Sequence, residues 1–197
     1  MSAMVFGDLF EKFSTWYEER LARLDDASWK QLLLKTLPYV CEKDSRRGWA
    51  QVFNHLNESL GYVLLADRGY SHIEFLDRGD DTTPDLLGKT VTERTLVEVK
   101  TVNNSEFDID LMSNRVPVAR DVMVGINERF KHKLRMTIDG AKDQLLRYGE
   151  PTDKRITFLV IHCDSDFKFV GQNYKEIGEF VASCQTAEVE VAHQIIN

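Results

Sequence analysis

A chain of 197 residues suffices for one domain, or one domain with an appendage, and can bury a core without disulfide staples. Its 43% hydrophobic and 29% charged residues are ordinary for a globular protein. A formal net charge of -7 argues against a protein that coats nucleic acid nonspecifically, yet leaves room for a nucleic-acid enzyme, whose metal-binding carboxylates add negative charge.

The first residues, MSAMVFGDLFEKF, carry acids early and no long apolar run, so a secretory leader is not expected. Residues 4–24 place Val5, Phe6, Leu9, Phe10, Phe13, Trp16, Tyr17 and Leu21 at helical spacing. Their stripe suits core packing or a homodimer interface. A second helix is expected over 27–40, stopping near Pro38. Asp44 or Ser45 can cap a third, RRGWAQVFNHLNESLGY, with Trp49, Val52, Phe53, Leu56 and Leu60 on one face and Gly61 at its end. Residues 62–66 then read as a buried strand, and 73–76 as another, or as its continuation after a turn at Arg68-Gly69.

Residues 80–83 form a polar turn. Residues 85–87 and 95–102 read as two strands joined across 88–94, a hairpin. Residues 103–122 lack periodicity and read as an exposed loop. A long helix follows over 125–148, with Ile126, Phe130, Leu134, Ile138, Ala141, Leu145 and Tyr148 three or four apart, and Gly149 closes it. ITFLVIHCD, 156–164, is an apolar strand. A short helix over 174–184 and a last strand over 188–192 complete the chain. Helices and strands in this order predict an α/β fold, with a central mixed sheet flanked by helices. Cys41, Cys163 and Cys184 form no CxxC pair, which favours reduced thiols in a cytoplasmic protein. No apolar run reaches the length of a membrane span, so a soluble protein with no membrane partner is expected.

The chemistry concentrates in TPDLLGKTVTERTLVEVKTV, residues 83–102. On a strand, Leu96, Glu98 and Lys100 share one side, while Val97, Val99 and Thr101 share the other. Glu98 and Lys100 are then roughly 7 Å apart along the strand. Asp85 can reach the same point across the hairpin. Two carboxylates, with the Val99 carbonyl between, suit a hard divalent cation such as Mg2+ or Mn2+. Lys100 can orient or deprotonate a water and stabilise charge on phosphorus. The other reading of the same residues is a Glu98–Lys100 salt bridge on a solvated sheet face, with Pro84-Asp85 an ordinary turn.

Pro84-Asp85 followed by Glu98-x-Lys100 at a strand resembles the PD-(D/E)xK nuclease superfamily, over residues 45–164. Gln144 and Tyr148, four apart on the long helix, are similar to the QxxxY element of its RecB-like members. The resemblance implies a restriction-endonuclease-like core (αβββαβ), here spanning 45–197 with a helical extension over 1–44. It assigns the metal to Asp85 and Glu98, the attacking water to Lys100, and support of the site to Gln144 and Tyr148. The family often adds an acid on the first core helix. Glu58 is the nearest candidate, but it lies opposite the apolar stripe, where a solvated residue is expected; Asp67 and Glu74 are others. His55 is notable because nucleases of segmented negative-strand RNA viruses place a metal-binding His on this helix.

Arg129, Lys131, Lys133, Arg135, Lys142 and Arg147 on the long helix, with Arg115 and Arg120 before it, read as a phosphate-tracking edge or as a solvated helix face. The resemblance implies a metal-dependent nuclease, with DNA as substrate ahead of RNA. Its alternatives are an RNA endonuclease of the viral cap-snatching type and an inactive nuclease fold serving as a binding module.

Overall fold

The computed structural model describes residues 15–40, 45–77, 83–102, 126–162 and 170–196, of which 45–50 and 170 are described through the backbone alone. The chain divides into two compact units, Met1–Arg78 with Asp85–Arg94, and Gly79–Pro84 with Thr95–Asn197. The described elements are α1 (residues 15–21), α2 (Asp26–Val40), α3 (Ser45–Asp67), β1 (His72–Phe75), β2 (Leu86–Lys89), β3 (Arg94–Val102), α4 (Glu128–Tyr148), β4 (Lys154–His162), α5 (Val170–Ser183) and β5 (Glu190–Ile196). The class is α/β with mixed strand directions, and from α3 to β4 the order is helix, three strands, helix, strand.

In the first unit, the Asp25 carboxylate caps α2 by accepting the Ser28 N–H at 2.7 Å, which holds its carboxyl below the usual range. Ser28, Leu32 and Thr36, four apart, form the buried side of α2, which packs along α3. Pro38 falls in the last turn and the helix stops two residues later. Tyr17 of α1 donates its hydroxyl to Asn57 Oδ1 of α3 at 2.5 Å, and burial raises its pKa. Beyond Asp67, Gly69 takes a φ of 83°. Its N–H bonds the Ala66 carbonyl and that of Tyr70 bonds Leu65, a Schellman motif that turns the chain toward β1. β1 and β2 pair antiparallel, with Ile73 opposite Gly88 and Phe75 opposite Leu86, and both rest on α3. A Cβ on Gly88 would meet Tyr70 and Leu65 side chains at 3.0 and 3.1 Å, so the absent side chain lets the strand approach the helix.

In the second unit, β3, β4 and β5 pair in parallel, and α4 and α5 provide the two crossovers. Asn127 Oδ1 caps α4 by accepting the Phe130 N–H at 2.7 Å. Leu134, Ile138, Ala141 and Leu145 form its buried stripe. Leu134 and Ile138 join Val102, Leu159, Ile161, Ile177, Val181, Cys184 and Val191 in one apolar cluster. Gly149 ends α4 with its N–H on the Leu145 carbonyl but with a φ of -76°, so no left-handed turn is involved. What selects glycine there is space, since a Cβ would stand 2.9 Å from Arg155 Nε and 3.0 Å from Leu96 Cδ1.

Two expectations need correction. The third helix does not stop at Gly61, and 62–66 is not a strand, because α3 runs unbroken to Asp67. Tyr62 and Leu65 are its buried residues there, three apart, which is helical rather than alternating spacing. The long helix starts at Glu128 rather than at 125. The stretch 4–14, the side chain of Trp49, the caps at Asp44, the turn over 80–82, the loop over 103–122, Arg115 and Arg120, Cys41 and Cys163 lie outside the described residues. Among the described residues, no helix is long and apolar enough to cross a membrane.

Ile138 is fully buried, while Met136 on the same helix is 60% exposed. Ile138→Ala should cost about 2–5 kcal/mol through lost transfer energy and a cavity, whereas Met136→Ala should stay within about 0.5 kcal/mol of the parent. Urea unfolding midpoints of the two variants check the assignment of the buried face.

Candidate functional site

β3 is covered on both faces over residues 95–99, as a strand of a parallel sheet should be. A glutamate in such a strand must find partners, because an unpaired buried carboxylate is strongly disfavoured. Glu98 has 2% of its side chain exposed. Its Oε1 accepts from Lys100 Nζ at 2.5 Å, and its Oε2 accepts from Gln144 Nε2 at 2.9 Å. Gln144 Nε2 also donates to the Thr83 carbonyl at 3.0 Å. One amide thus ties the ExK strand, the last turns of α4 and the residue before Pro84 together. The Lys100 side chain is 34% exposed, so the ammonium lies at the wet end of this group.

The other predicted residues are placed as follows. Asp85 is 2% exposed, and its carbonyl accepts the Leu76 N–H at 2.9 Å at the head of β2. Val99 is buried with its side chain on the face opposite Glu98. Tyr148, one turn beyond Gln144, is 38% exposed. Of the basic residues on α4, Lys131 pairs with Glu128 at 2.7 Å, Arg135 lies 5.2 Å over the Phe180 ring, and Lys142 donates to the Cys184 carbonyl at 2.5 Å. Those three are engaged within the second unit. Arg129, Lys133 and Arg147 are exposed.

Glu58 departs from expectation. It is not solvated but 2% exposed in the first unit, because α2 covers that side of α3. Its Oε1 meets His55 Nδ1 at 2.8 Å and its Oε2 accepts from Lys35 Nζ at 3.1 Å. Burial pushes its carboxyl up, but the hydrogen bond from His55 and the charges of Lys35 and His55 together outweigh burial and hold it below the usual value. Glu58 and His55 are therefore brought together with each other. Lys35 escaped the sequence reading; its only signal is its place beside Thr36 on the covered side of α2. Thr157 also escaped it. Its hydroxyl and Arg155 Nε are buried atoms without a hydrogen-bond partner among the described residues.

The donor chemistry at Glu98 fits a hard cation: a buried carboxylate oxygen donor with an ammonium beside it. Among the described residues, no three or more His, Cys, Asp or Glu side chains gather as a metal cluster.

No family model and no curated protein matches this chain. Among solved structures, it is similar to Pyrococcus furiosus SfsA in complex with Ca2+, at 13% identity and a TM-score of 0.29, covering 76% of this chain. The match spans 57% of that protein's length. A likeness this loose assigns neither fold nor activity.

The pH dependence of stability follows from Glu58. Its folded-state pKa is depressed, so its contribution is complete above the ordinary glutamate value of about 4.3 and is lost as pH falls through the folded-state value. Glu58→Gln should cost about 3–5 kcal/mol at pH 7 by leaving Lys35 without its partner. The gap between variant and parent should narrow below about pH 4. Urea unfolding from pH 7 to pH 3 checks this; a gap independent of pH would remove the ionised pair.

Proposed function

We propose that this chain is a metal-dependent nuclease of the PD-(D/E)xK type, hydrolysing phosphodiester bonds in DNA ahead of RNA. The observation that supports it is the Glu98 carboxylate, 2% exposed and bonded by both Lys100 and Gln144. Two motif elements separated by more than forty residues meet at one carboxylate. A salt bridge on a solvated sheet face, the competing reading, does not fit so buried a glutamate.

In this reading Glu98 and, by the motif, Asp85 hold a Mg2+ or Mn2+ ion. When bound, the ion supplies a water of lowered pKa and screens charge building on the phosphate. Gln144 fixes the Glu98 carboxylate through Oε2 and leaves Oε1 to the Lys100 side. Lys100 gives up its bond to Oε1 and turns its ammonium to the attacking water and the phosphate oxygens. The water's oxygen would form the new bond to phosphorus and pass its proton to a non-bridging phosphate oxygen, while the bridging P–O bond breaks and the leaving oxygen takes a proton from solvent water. The restriction-endonuclease-like core, the roles of Tyr148 and Val99, and a backbone-tracking use of Arg129, Lys131, Lys133, Arg135, Lys142 and Arg147 belong to the same proposal.

Plasmid DNA, linear duplex and single-stranded RNA, each incubated with the protein and Mg2+, Mn2+ or EDTA, test the reading. Cleavage should need the metal and favour DNA. Lys100→Ala should lower the rate by about 100-fold or more. A Lys100→Ala protein that cuts as fast as the parent, or cutting that survives EDTA, ends the proposal.

A further inference from the structure

β3 and β4 pair in parallel with Glu98 opposite Thr157. Register partners on neighbouring strands project to the same face of the sheet, with the strands about 4.8 Å apart. Thr157 is fully buried, and its Oγ1 has no hydrogen-bond partner among the described residues. Buried hydroxyls nearly always have one. Its strand is otherwise apolar there, with Ile156, Phe158, Leu159, Val160 and Ile161 all buried. A valine would fill the same branched shape with no polar atom to satisfy. The hydroxyl is therefore unexplained by packing.

Glu98 has the complementary problem once a cation arrives. Its Oε1 is held by the Lys100 ammonium at 2.5 Å. A divalent ion on the same oxygen repels that ammonium, so the carboxylate loses a donor as it gains a metal. Carboxylates that bind metals keep their orientation through hydrogen bonds from behind, and Gln144 supplies one of these. Thr157 carries an unspent donor on the adjacent strand and the same face. Arg155 Nε, the other unpartnered atom, does not compete. The register partner of Arg155 is Leu96, two residues before Glu98, and its other nitrogens tie the guanidinium to the carbonyls of Asp153 and Glu150.

Resting on the nuclease reading above, we infer that Thr157 is a positioning residue: its hydroxyl donates to the Glu98 carboxylate in the cation-loaded protein and stands unpaired without the cation. The hydroxyl then stores a hydrogen bond that only metal binding completes. Its loss is felt in cation affinity and not in the stability of the metal-free fold.

The test compares the parent, Thr157→Val and Thr157→Ser by thermal melting in EDTA and by calorimetric titration with Mn2+. The metal-free Thr157→Val protein should melt at or above the parent temperature, since no hydrogen bond is lost. Its Mn2+ dissociation constant should rise about 10-fold, with Thr157→Ser returning to within a few-fold of the parent. Equal Mn2+ affinity in parent and Thr157→Val overturns the inference and leaves the nuclease reading standing. A lowered metal-free melting temperature for Thr157→Val also overturns it, because the hydroxyl then has a partner in the unloaded fold. Absence of Mn2+ uptake by the parent removes the nuclease reading itself, and this inference with it.

Discussion

A carboxylate inside a parallel strand sets the terms for the second unit. Glu98 is surrounded by Leu96, Val97 and Val99, all buried, and its charge survives there only with partners held in place. Lys100 is supplied by the strand itself, two residues on, where the pleat returns to the same face. Gln144 is supplied by α4, whose buried stripe through Ala141 and Leu145 presses the helix onto the sheet and carries the neighbouring amide to Oε2. The helix cap at Asn127, the stripe and the stop at Gly149 define the helix that carries this amide. The same amide holds the Thr83 carbonyl, and Asp85 lies two residues further along the chain.

The first unit contains its own buried carboxylate, and the contrast is instructive. Glu58 is held on both oxygens by Lys35 and His55, whose side chains are 13% and 5% exposed. That arrangement joins α2 to α3, and each partner is too enclosed to leave without exposing an unpaired charge. Glu98 is as deeply buried, but its lysine is 34% exposed and can turn to water at little cost. Solvent access of the cationic partner, more than burial of the acid, is what distinguishes the two pairs. Thr157 extends the difference, because Glu98 has an unspent hydroxyl donor on the next strand.

Much of the architecture was legible from periodicity. The stripe of α4 announces itself at helical spacing, and the apolar runs of β3 and β4 read as covered strands. Residues 62–66 misled because a five-residue apolar run looks alike in a strand and on the covered side of a helix. In the structure it lies within α3, which rests on β1 and β2. Glu58 misled for a related reason. A helical wheel built on one apolar stripe predicts one buried side, and α3 is covered on a second by α2, which brings a lysine to neutralise the acid.

By itself the amino-acid sequence determined that Glu98 and Lys100 share a face, that Gln144 and Tyr148 share another, and that apolar residues enclose the first pair. These follow from the two periods of the backbone and need no partner element. The tertiary structure alone decided that Gln144 is bonded to Glu98, that Glu58 is buried, and that Thr157 lies in register with Glu98. Helix placement and strand register are long-range, set by how whole faces fit together, and no local pattern encodes them.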